Sequence, residues 1–576
     1  MAGLDWLVIA IYFLIMAAIV LWSSKKQNTS ADYFLAGRNI GWFAIGGSLF
    51  ASNIGSEHIV GLAGSGAISG MAMAHWEMHA WIMLMLGWIF VPFYYKANVF
   101  TMPEFLEKRF NKYVRWILSV VSLVAYVFTK VSVTVYAGAL VFQTILPDIN
   151  INLFGYTWGP FWIGAFVTVI VTGVYTILGG FRAVLYTDSI QAILLIIGSL
   201  SITLIGLDAL VGWHELVIIA SERSNELALW RPLIIEGSDL PWWKNNDFPW
   251  LGIMIASPII GIWYWCTDQY IFQRTWAAKN LTMARRGAIW GSFLKVWPVL
   301  IFLLPGIIGW ALHQQQIISI PTKSGSIDGS LNIDGDQVFA SMVIQLLPVG
   351  LRGLVVGGLL AALMSSLSSL FNSCATLFTV DIYEKLVAKK SEKHLVRVGR
   401  FATSIIVFFG LLWIPIMYRV ADGGIYQYLQ SVQGYLAPPI ASVFLLGLFY
   451  KRINSVGAIA GLISGFTLGM AKLIIQVNFS SIDNSKLSSP EWLASIGDFS
   501  FLYATGALFL ISSIIIIIFS FLTKAQSDKS IHGLTYGSID KDEISGSVEP
   551  IDRYLTAITL ILVLGLYIYF SFWLSK

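Results

Sequence analysis

Long apolar runs separated by short polar segments recur along almost the whole chain. An apolar run of about 20 residues is long enough to cross the hydrocarbon core of a bilayer as a helix. By that rule the pattern predicts about 14 spans. Their approximate positions are 5–22, 41–67, 72–95, 116–146, 158–178, 184–210, 250–271, 286–312, 337–380, 398–418, 425–449, 454–476, 498–522 and 554–574. We therefore expect an all-α polytopic membrane protein, with tilted or interfacial pieces in the longest runs.

Polar residues interrupt the second span at its middle. Residues 51–58 read Ala-Ser-Asn-Ile-Gly-Ser-Glu-His, and a carboxylate beside an imidazole is costly on a lipid-facing helix. A broken helix is tolerated where its freed backbone lines a cavity. The span 250–271 also carries helix breakers, Pro258 and Gly261, and we expect an unwound stretch there. Paired interrupted spans in corresponding halves are typical of the binding site of a secondary transporter.

Composition and charge support this class. The 576 residues are 57% hydrophobic and 12% charged, whereas a soluble domain has about 25% charged residues. Most of the 36 Lys and Arg fall in loops after odd-numbered spans. We therefore interpret the net charge of +4 as a consequence of membrane topology and not as a sign of nucleic-acid binding. The positive-inside rule predicts that both termini lie on the non-cytoplasmic side of the plasma membrane. Asp5 precedes the first run and Lys25 follows it, which favours a retained span over a signal peptide.

Several ionisable residues that fall inside the predicted spans stand out as candidates for a polar site. They are Glu57, His58, Glu77, His79, Lys130, Asp188, Asp268 and Lys295. Such groups usually face a bundle interior or a water-filled cavity and often pair. Glu77 and Lys295 fit either a structural ion pair or joint binding of a polar solute. The aromatic cluster 263–265 fits either the C–H face of a sugar ring or an interfacial belt.

Four serines near residue 367 place hydroxyls within about one and a half helical turns. Hydroxyl and carbonyl oxygens suit a hard cation such as Na⁺, but hydroxyls bonded back to their own helix in small-residue packing fit equally well. Asp188 either completes a second cation site or is a structural acid. The sequence shows neither a phosphate-binding loop nor a catalytic constellation. We therefore expect no enzyme, and uphill transport would draw on an ion gradient.

Many motifs resemble those of the solute:sodium symporter family, in particular its sodium/glucose and sodium/myo-inositol cotransporter branch. They include residues 32–38 (DYFLAGR), 51–58 (ASNIGSEH), 61–66 (GLAGSG), 101–105 (TMPEF), 186–188 (YTD), 263–269 (WYWCTDQ), 273–274 (QR), 294–295 (LK), 363–381 and 449–452 (FYKR). The resemblance implies a leucine-transporter-type core of two inverted five-helix repeats in one membrane domain, 1–576. The repeats would be 41–210 and 250–449, with 454–476 at the end of the second or flanking it. The other flanking helices would be 5–22, 498–522 and 554–574.

The resemblance also implies roles for individual residues. The sugar-hydroxyl partners would be Asn53, His58, Glu77, Lys295 and Gln430. The aromatic that stacks under the sugar as an inner gate would be Tyr264, beside Trp263 and Trp265. The outer hydrophobic gate would be Leu62, Trp76 and Tyr426. The shared Na⁺ site would use carbonyls of Ala51, Ile54 and Ala362 and hydroxyls of Ser365 and Ser366. A possible second Na⁺ site would use Asp188, Ser368 and Ser369. Glu57 receives no role.

Three departures from the family pattern put glucose itself in doubt. Gly261 replaces Asn or Thr, His79 replaces Asn, and Gln433 replaces a small hydroxyl residue. We expect Na⁺-coupled import of a glucose- or galactose-like hexose or a polyol by alternating access. The alternatives are a carrier for myo-inositol or a uronate, and a sugar-gated sensor or ion-leak protein. The expected partners are the solute, Na⁺ and the lipid bilayer, with no nucleic acid and no obligate protein partner.

Overall fold

The described part of the chain is almost entirely helical in a computed structural model. The description omits residues 25–28, 98, 154, 224, 236, 238, 323–332, 388–390, 421–424, 481–489, 539–547 and 572–576, and the side chains of 128, 413, 416–420 and 425–428. The α-helices are Gly3–Ser23, Ser30–Leu35, Trp42–Asn53, Ser56–Ser69, Ala74–Glu77, Ala80–Met85, Val91–Ala97, Met102–Arg109, Lys112–Ala125, Ser132–Ile145, Pro160–Ala209, Trp213–Ala220, Trp250–Gly261, Gln269–Trp276, Leu281–Leu294, Leu304–Gln314, Val338–Leu346, Leu351–Thr376, Glu384–Leu386, Glu392–Val420, Ile425–Phe449, Ser455–Phe479, Glu491–Asp498, Phe501–Leu522, Asp528–Ile531 and Pro550–Tyr569.

Wider or tighter helical turns join several of these helices. The π-helical turns are Leu86–Phe90, Tyr126–Val131, Ile262–Thr267, Val299–Leu303 and Leu377–Tyr383. The 3₁₀ turns are Ala36–Arg38, Gly70–Met73, Trp242–Lys244, Gly335–Gln337 and Tyr536–Ser538. An antiparallel hairpin pairs Ile151–Leu153 with Tyr156–Trp158, with Ile151 opposite Trp158.

Twelve helices in the described ranges are long and apolar enough to cross a membrane, compared with the predicted count of about 14 spans. Part of the difference lies in Pro160–Ala209, which has 50 residues. At 1.5 Å per residue it would be roughly 75 Å long, over twice the thickness of a bilayer core. It bends at Gly180, where φ is 58° and ψ is −167°, a conformation that favours glycine. One run therefore has the length of two crossings, and the total of 14 stays a prediction.

The predicted break in the second span is confirmed. The first half-helix, Trp42–Asn53, ends where Ile54 turns out of helical geometry (φ −89°, ψ 87°). The second half-helix, Ser56–Ser69, begins after an extended Gly55. The last carbonyls of the first half-helix and the first amides of the second are thus released from the helical hydrogen-bond pattern.

The predicted unwinding at Pro258 and Gly261 is wrong. The helix Trp250–Gly261 runs through Pro258 and continues as the π-helical turn Ile262–Thr267. The chain leaves helical geometry at Asp268 (φ −84°, ψ 128°), whose side chain caps the next helix by accepting a hydrogen bond from the Tyr270 amide. A proline removes one backbone donor, but here the aspartate cap sets the position of the break.

Small residues hold the first half-helix close to its neighbours. A Cβ atom at Gly46 would lie 2.7 Å from the carbonyl oxygen of Gly287 on the helix Leu281–Leu294, so glycine permits the close backbone approach typical of membrane helices. The helix Pro160–Ala209 packs against both the first half-helix and the serine helix, Leu351–Thr376. The broken helix thus lies inside the bundle, with its break enclosed by protein.

Candidate functional site

A buried cavity with about 40 Å³ of free space lies at the break in the second span. Its polar lining residues are Asn53, Glu57, His58, Glu77, His79, Lys130, Thr134, Lys295, Gln430 and Gln433. Its remaining lining residues are Trp76, Ile260, Tyr264, Trp265, Tyr270, Leu370 and Leu429. One water needs about 10–15 Å³ of such space, so a hexose requires the lining side chains to move apart. The structure brings all five predicted sugar-hydroxyl partners to this one cavity.

Lys295 connects two other polar residues of the cavity lining through hydrogen bonds. Its ammonium donates to Glu77 Oε2 at 2.5 Å and to Asn53 Oδ1 at 2.6 Å. The Asn53 amide in turn donates to the Tyr264 hydroxyl at 3.1 Å. Lys295 is 2% exposed and Glu77 0%, so each charge depends on the other for stabilisation. The predicted Glu77–Lys295 pair exists, and it faces the cavity.

Other polar atoms of the cavity wall have no hydrogen-bond partner among the described residues. They include Gln430 Oε1, Trp76 Nε1 and Trp265 Nε1. Buried polar atoms are hydrogen-bonded in most proteins, so these atoms on lining residues are free to bond a polar ligand. His58 lies between two carboxylates, with Nδ1 3.7 Å from Glu57 Oε1 and Nε2 3.9 Å from Glu77 Oε1.

Two departures noted in the sequence lie against each other in the structure. His79 Nε2 is 2.7 Å from Ser257 Oγ, and its ring packs over Gly261. A Cβ atom at position 261 would overlap Ile82 Cδ1 and lie 3.1 Å from His79 Cε1. The missing side chain at Gly261 therefore makes room for the imidazole at position 79. The sequence alone gave no sign that these two changes are spatially coupled.

The aromatic cluster contributes unequally to the cavity. Tyr264 and Trp265 line it, with ring centroids 5.0 Å apart and planes at 83°. Trp263 is not among the lining residues, and its ring instead lies 5.1 Å from the Lys130 ammonium. Lys130 also donates to Asp268 Oδ2 at 2.6 Å. Sequence reasoning noted Lys130 and Asp268 as intramembrane charges but did not pair them, because nothing local relates two spans.

The predicted outer-gate residues occupy different places. Trp76 lines the cavity and packs near Phe248, with ring centroids 6.0 Å apart. Leu62 is fully buried on the second half-helix but does not line the cavity. The side chain of Tyr426 lies outside the described part of the chain.

An oxygen-rich cluster lies beside the end of the first half-helix. Asp188 accepts hydrogen bonds from Ser48 at 2.6 Å, Ser52 at 2.8 Å and Ser365 at 2.7 Å. Ser365, predicted for the shared Na⁺ site, thus contacts the carboxylate predicted for the second site. Ser366 donates to the Ser52 carbonyl at 3.2 Å, so the serine helix touches the released end of the half-helix.

The carbonyl-bearing residues of the predicted shared Na⁺ site, Ala51, Ile54 and Ala362, are all fully buried. Ala51 and Ile54 flank Ser52 and Asn53 at the end of the half-helix, and Ala362 is one turn before Ser366 on the serine helix. Among the described residues no three His, Cys, Asp or Glu converge on a metal site. The cation candidates are therefore these neutral oxygens together with the carboxylate of Asp188.

Arg274 is the residue that sequence reasoning missed here. Its guanidinium donates from Nε to Ser48 at 3.0 Å and lies 3.9 Å from Asp188 Oδ2. It also donates to Ser369, a residue predicted for the second site. Ser368, by contrast, donates to the Ser365 carbonyl on its own helix at 3.0 Å, as in the back-bonding alternative. The Gln-Arg motif at 273–274 was a signal, but its role was not assigned.

The chain was compared with known proteins. The model of the sodium:solute symporter family matches residues 33–465. The chain belongs to this family. Sodium/glucose cotransporter 4 of Mus musculus is 37% identical over 92% of this chain and 77% of that protein. Sodium/glucose cotransporter 1 of Oryctolagus cuniculus is 37% identical over 92% and 81%. The sodium/myo-inositol cotransporter of Canis lupus familiaris is 36% identical over 95% and 77%.

A solved structure of a Na⁺-coupled sialic acid symporter, in a substrate-bound outward-open state, has the same fold. Its TM-score is 0.72 at 20% identity, covering 91% of this chain and 99% of that one. The leucine-transporter-type fold class predicted from the sequence is thereby confirmed, whereas the exact repeat boundaries stay a prediction. This multi-pass membrane protein is a sodium-coupled symporter by family, and Na⁺ is the co-transported ion.

Proposed function

We propose that this protein imports a neutral sugar or polyol together with Na⁺ by alternating access across the plasma membrane. The observation that carries the proposal is the adjacency of two residues at the end of the first half-helix. Ser52 faces the oxygen cluster through its hydroxyl and carbonyl, while Asn53 faces the polar cavity. One helix end thus belongs to both candidate sites.

This arrangement gives a physical route for coupling. Na⁺ held by Ala51, Ile54 and Ala362 carbonyls and the Ser366 hydroxyl would stabilise the contact between the half-helix and the serine helix. A ligand shifts a conformational equilibrium only through its different affinities for the two states. Since the same contact positions Asn53, Na⁺ binding would favour the arrangement in which the solute site is complete, and solute would favour Na⁺ binding equally.

The chemistry of the cavity supports a polyhydroxylated neutral solute. Several donors and acceptors surround the face of Tyr264, and a sugar ring needs both directional hydrogen bonds and an aromatic face. Lys295, Glu77 and Asn53 now bond one another, so solute hydroxyls would exchange with existing contacts. Sodium/glucose and sodium/myo-inositol cotransporters among the relatives agree with this solute class.

The direct test is uptake by purified protein in proteoliposomes. Labelled glucose, galactose, myo-inositol and glucuronate are offered with and without an inward Na⁺ gradient. We expect accumulation of at least one neutral solute that collapses without the gradient. Uptake indifferent to Na⁺ would contradict coupling. Solute-evoked current without accumulation would favour the sensor alternative.

Asp188 is the carboxylate that a second coupled Na⁺ would use. Arg274 already compensates part of its charge at 3.9 Å, so a second Na⁺ would have to share this carboxylate with the guanidinium. If a second ion is coupled, Asp188→Asn lowers the Hill slope of uptake for Na⁺. An unchanged slope with normal expression would show a single coupled ion, and Asp208→Asn, an exposed carboxylate, is the matched control.

We also propose that both termini face away from the cytoplasm. The two native cysteines, Cys266 and Cys374, are buried, so labelling by a thiol reagent is expected only at an introduced, exposed cysteine. An Ala2→Cys variant should react with a membrane-impermeant thiol reagent on intact cells. Lys451→Cys, in an exposed basic turn, should react only after the cells are opened, and the reverse pattern would invert the topology.

A further inference from the structure

Glu57 lies in the solute cavity without a role in the network described above. It is the second residue of the second half-helix, lines the cavity and is 7% exposed. Its carboxylate folds back over the break, because a Cβ atom at Gly55 would lie 2.5 Å from Glu57 Cδ. Glycine at position 55 is therefore what lets the carboxylate reach this place.

The Glu57 carboxylate is available for a ligand. Its Oε2 has no hydrogen-bond partner among the described residues, and Oε1 is 3.7 Å from His58 Nδ1, beyond hydrogen-bond distance. The two cavity lysines are hydrogen-bonded to other carboxylates, Lys295 to Glu77 and Lys130 to Asp268. Lys130 also attracts the Glu57 carboxylate electrostatically, but among the described residues no lysine donates a hydrogen bond to it. The hydrogen-bonding capacity of Glu57 is thus open to a ligand hydroxyl.

The Glu57 carboxylate lies at the N-terminus of the second half-helix. At a break, the N-terminus of a half-helix carries partial positive charge and typically receives an anionic group of the substrate. Here Glu57, in the first turn of the second half-helix, supplies an anion from the protein itself. A substrate carboxylate at the same place would face a like charge at low dielectric, which is strongly unfavourable.

We propose that Glu57 is a specificity-determining residue, whose carboxylate accepts hydrogen bonds from adjacent hydroxyls of a neutral polyol and excludes sugar acids. The inference rests on the proposed solute site and narrows its substrate class. Of the alternatives left open by the sequence, it favours a hexose or an inositol over a uronate.

The first test needs no variant. Uptake of the labelled neutral solute that the protein accumulates is competed by glucuronate and by its uncharged amide, glucuronamide, which differ chiefly in charge. We expect the acid to compete at least tenfold more weakly than the amide. An acid that competes as well as the amide overturns the proposal. Tighter competition by protonated glucosamine than by glucose also overturns it, because the site would then select a cation.

The second test replaces the carboxylate without changing its shape. Glu57→Gln should raise the half-saturating concentration of the neutral solute by roughly ten- to hundredfold, as expected when a hydrogen bond to a charged group is lost. The substitution should also reduce the difference in competing strength between glucuronate and glucuronamide. Glu215→Gln, an exposed carboxylate on the helix Trp213–Ala220, should change neither value.

The outcomes of the Glu57→Gln experiment distinguish the proposed role of Glu57 from the proposed Na⁺-coupled transport. Normal affinity and an unchanged acid-to-amide ratio in Glu57→Gln would overturn the role of Glu57 while leaving Na⁺-coupled symport intact. Uptake that ignores Na⁺ but responds to Glu57→Gln as described would reject the coupling and support the specificity role. Binding of the solute to the detergent-purified variant, followed by thermal stabilisation, supplies the same comparison where transport is too slow to measure.

Discussion

Replacing Gly261 with alanine should displace the His79 imidazole into the solute cavity and weaken solute binding. The added Cβ atom would overlap Ile82 Cδ1 and lie 3.1 Å from His79 Cε1. Ile82 is 0% exposed and His79 4%, and the bond to Ser257 holds the far side of the imidazole. The free volume nearest to the ring is the cavity itself. The part of the Gly261→Ala strain that falls on His79 is therefore relieved at the expense of space for the solute, in addition to the part that Ile82 must take up.

The size of the effect follows from the packing. Inserting one methyl group into a well-packed core costs about 1–3 kcal/mol. If that cost appears in binding, the half-saturating concentration rises by roughly 5- to 150-fold, since 1.4 kcal/mol corresponds to a factor of ten. Removing the ring with His79→Ala relieves the 3.1 Å contact with Cε1 but leaves the overlap with Ile82 Cδ1. The Gly261→Ala and His79→Ala changes should therefore be coupled by about 0.5–3 kcal/mol, as expected for residues in contact.

The assay is a double-mutant cycle of solute affinity in the two single variants and the double variant. Gly357→Ala is the matched control, because a Cβ atom at that position on the serine helix meets nothing within 4 Å. It should leave affinity within a few tenths of a kcal/mol, as expected of an alanine that fits without strain. The reasoning is refuted if Gly261→Ala and His79→Ala add to within about 0.5 kcal/mol.

Three further predictions follow from other contacts. Ser366→Ala should raise the half-saturating Na⁺ concentration for uptake several-fold, whereas Ser404→Ala, an exposed serine bonded to its own helix, should not; equal Na⁺ curves would contradict the site. Lys295→Met removes the ammonium that compensates the buried Glu77 carboxylate and should lower the free energy of unfolding by about 3–5 kcal/mol. Glu77→Gln in the same chain should recover much of this loss in thermal unfolding. Burial, which outweighs the attraction of a nearby arginine, raises the pKa of Glu226 to about 7 from 4.5. In the unfolded state the carboxyl therefore loses its proton at lower pH, so this segment is destabilised as the pH rises from 4.5 to 7. The protection factors of the amides in segment 225–235, corrected for the base-catalysed intrinsic exchange rate, should fall over that range; constant protection factors would contradict this.

The sequence was most informative where glycines and charged residues interrupt an apolar run that is long enough to span the membrane. Apolar periodicity located the spans, and the glycine and charges of 51–58 predicted the break that the structure has at Ile54 and Gly55. The rule that intramembrane charges pair also anticipated Glu77 with Lys295. These features depend on local composition and on the cost of burying charge, both of which can be read from a single chain.

Features that depend on contacts between distant segments were harder to predict from the sequence. Pro258 looked like a helix breaker, yet the helix continues through it into the π-helical turn Ile262–Thr267, and the chain leaves helical geometry only at Asp268. Ser365 was expected near the helix end but bonds Asp188, because the rotation of the serine helix about its axis depends on packing. Arg274 enters the same cluster from another segment, which no spacing in the sequence encodes.

The end of the first half-helix explains why solute and cation sites are linked without any long-range pathway. Ser52 and Asn53 are adjacent residues on the final helical turn, so they cannot be moved independently. Any rotation that separates the Ser52 carbonyl from Ser366 also changes the distance from Asn53 to Lys295. Part of the cost of breaking the helix is offset by Ser366 and Tyr270, which both donate hydrogen bonds to the released Ser52 carbonyl. A continuous helix would satisfy its own backbone groups and leave none to bind an ion. The break in the helix, which costs backbone hydrogen bonds, is therefore also what allows one short segment to respond to both ligands.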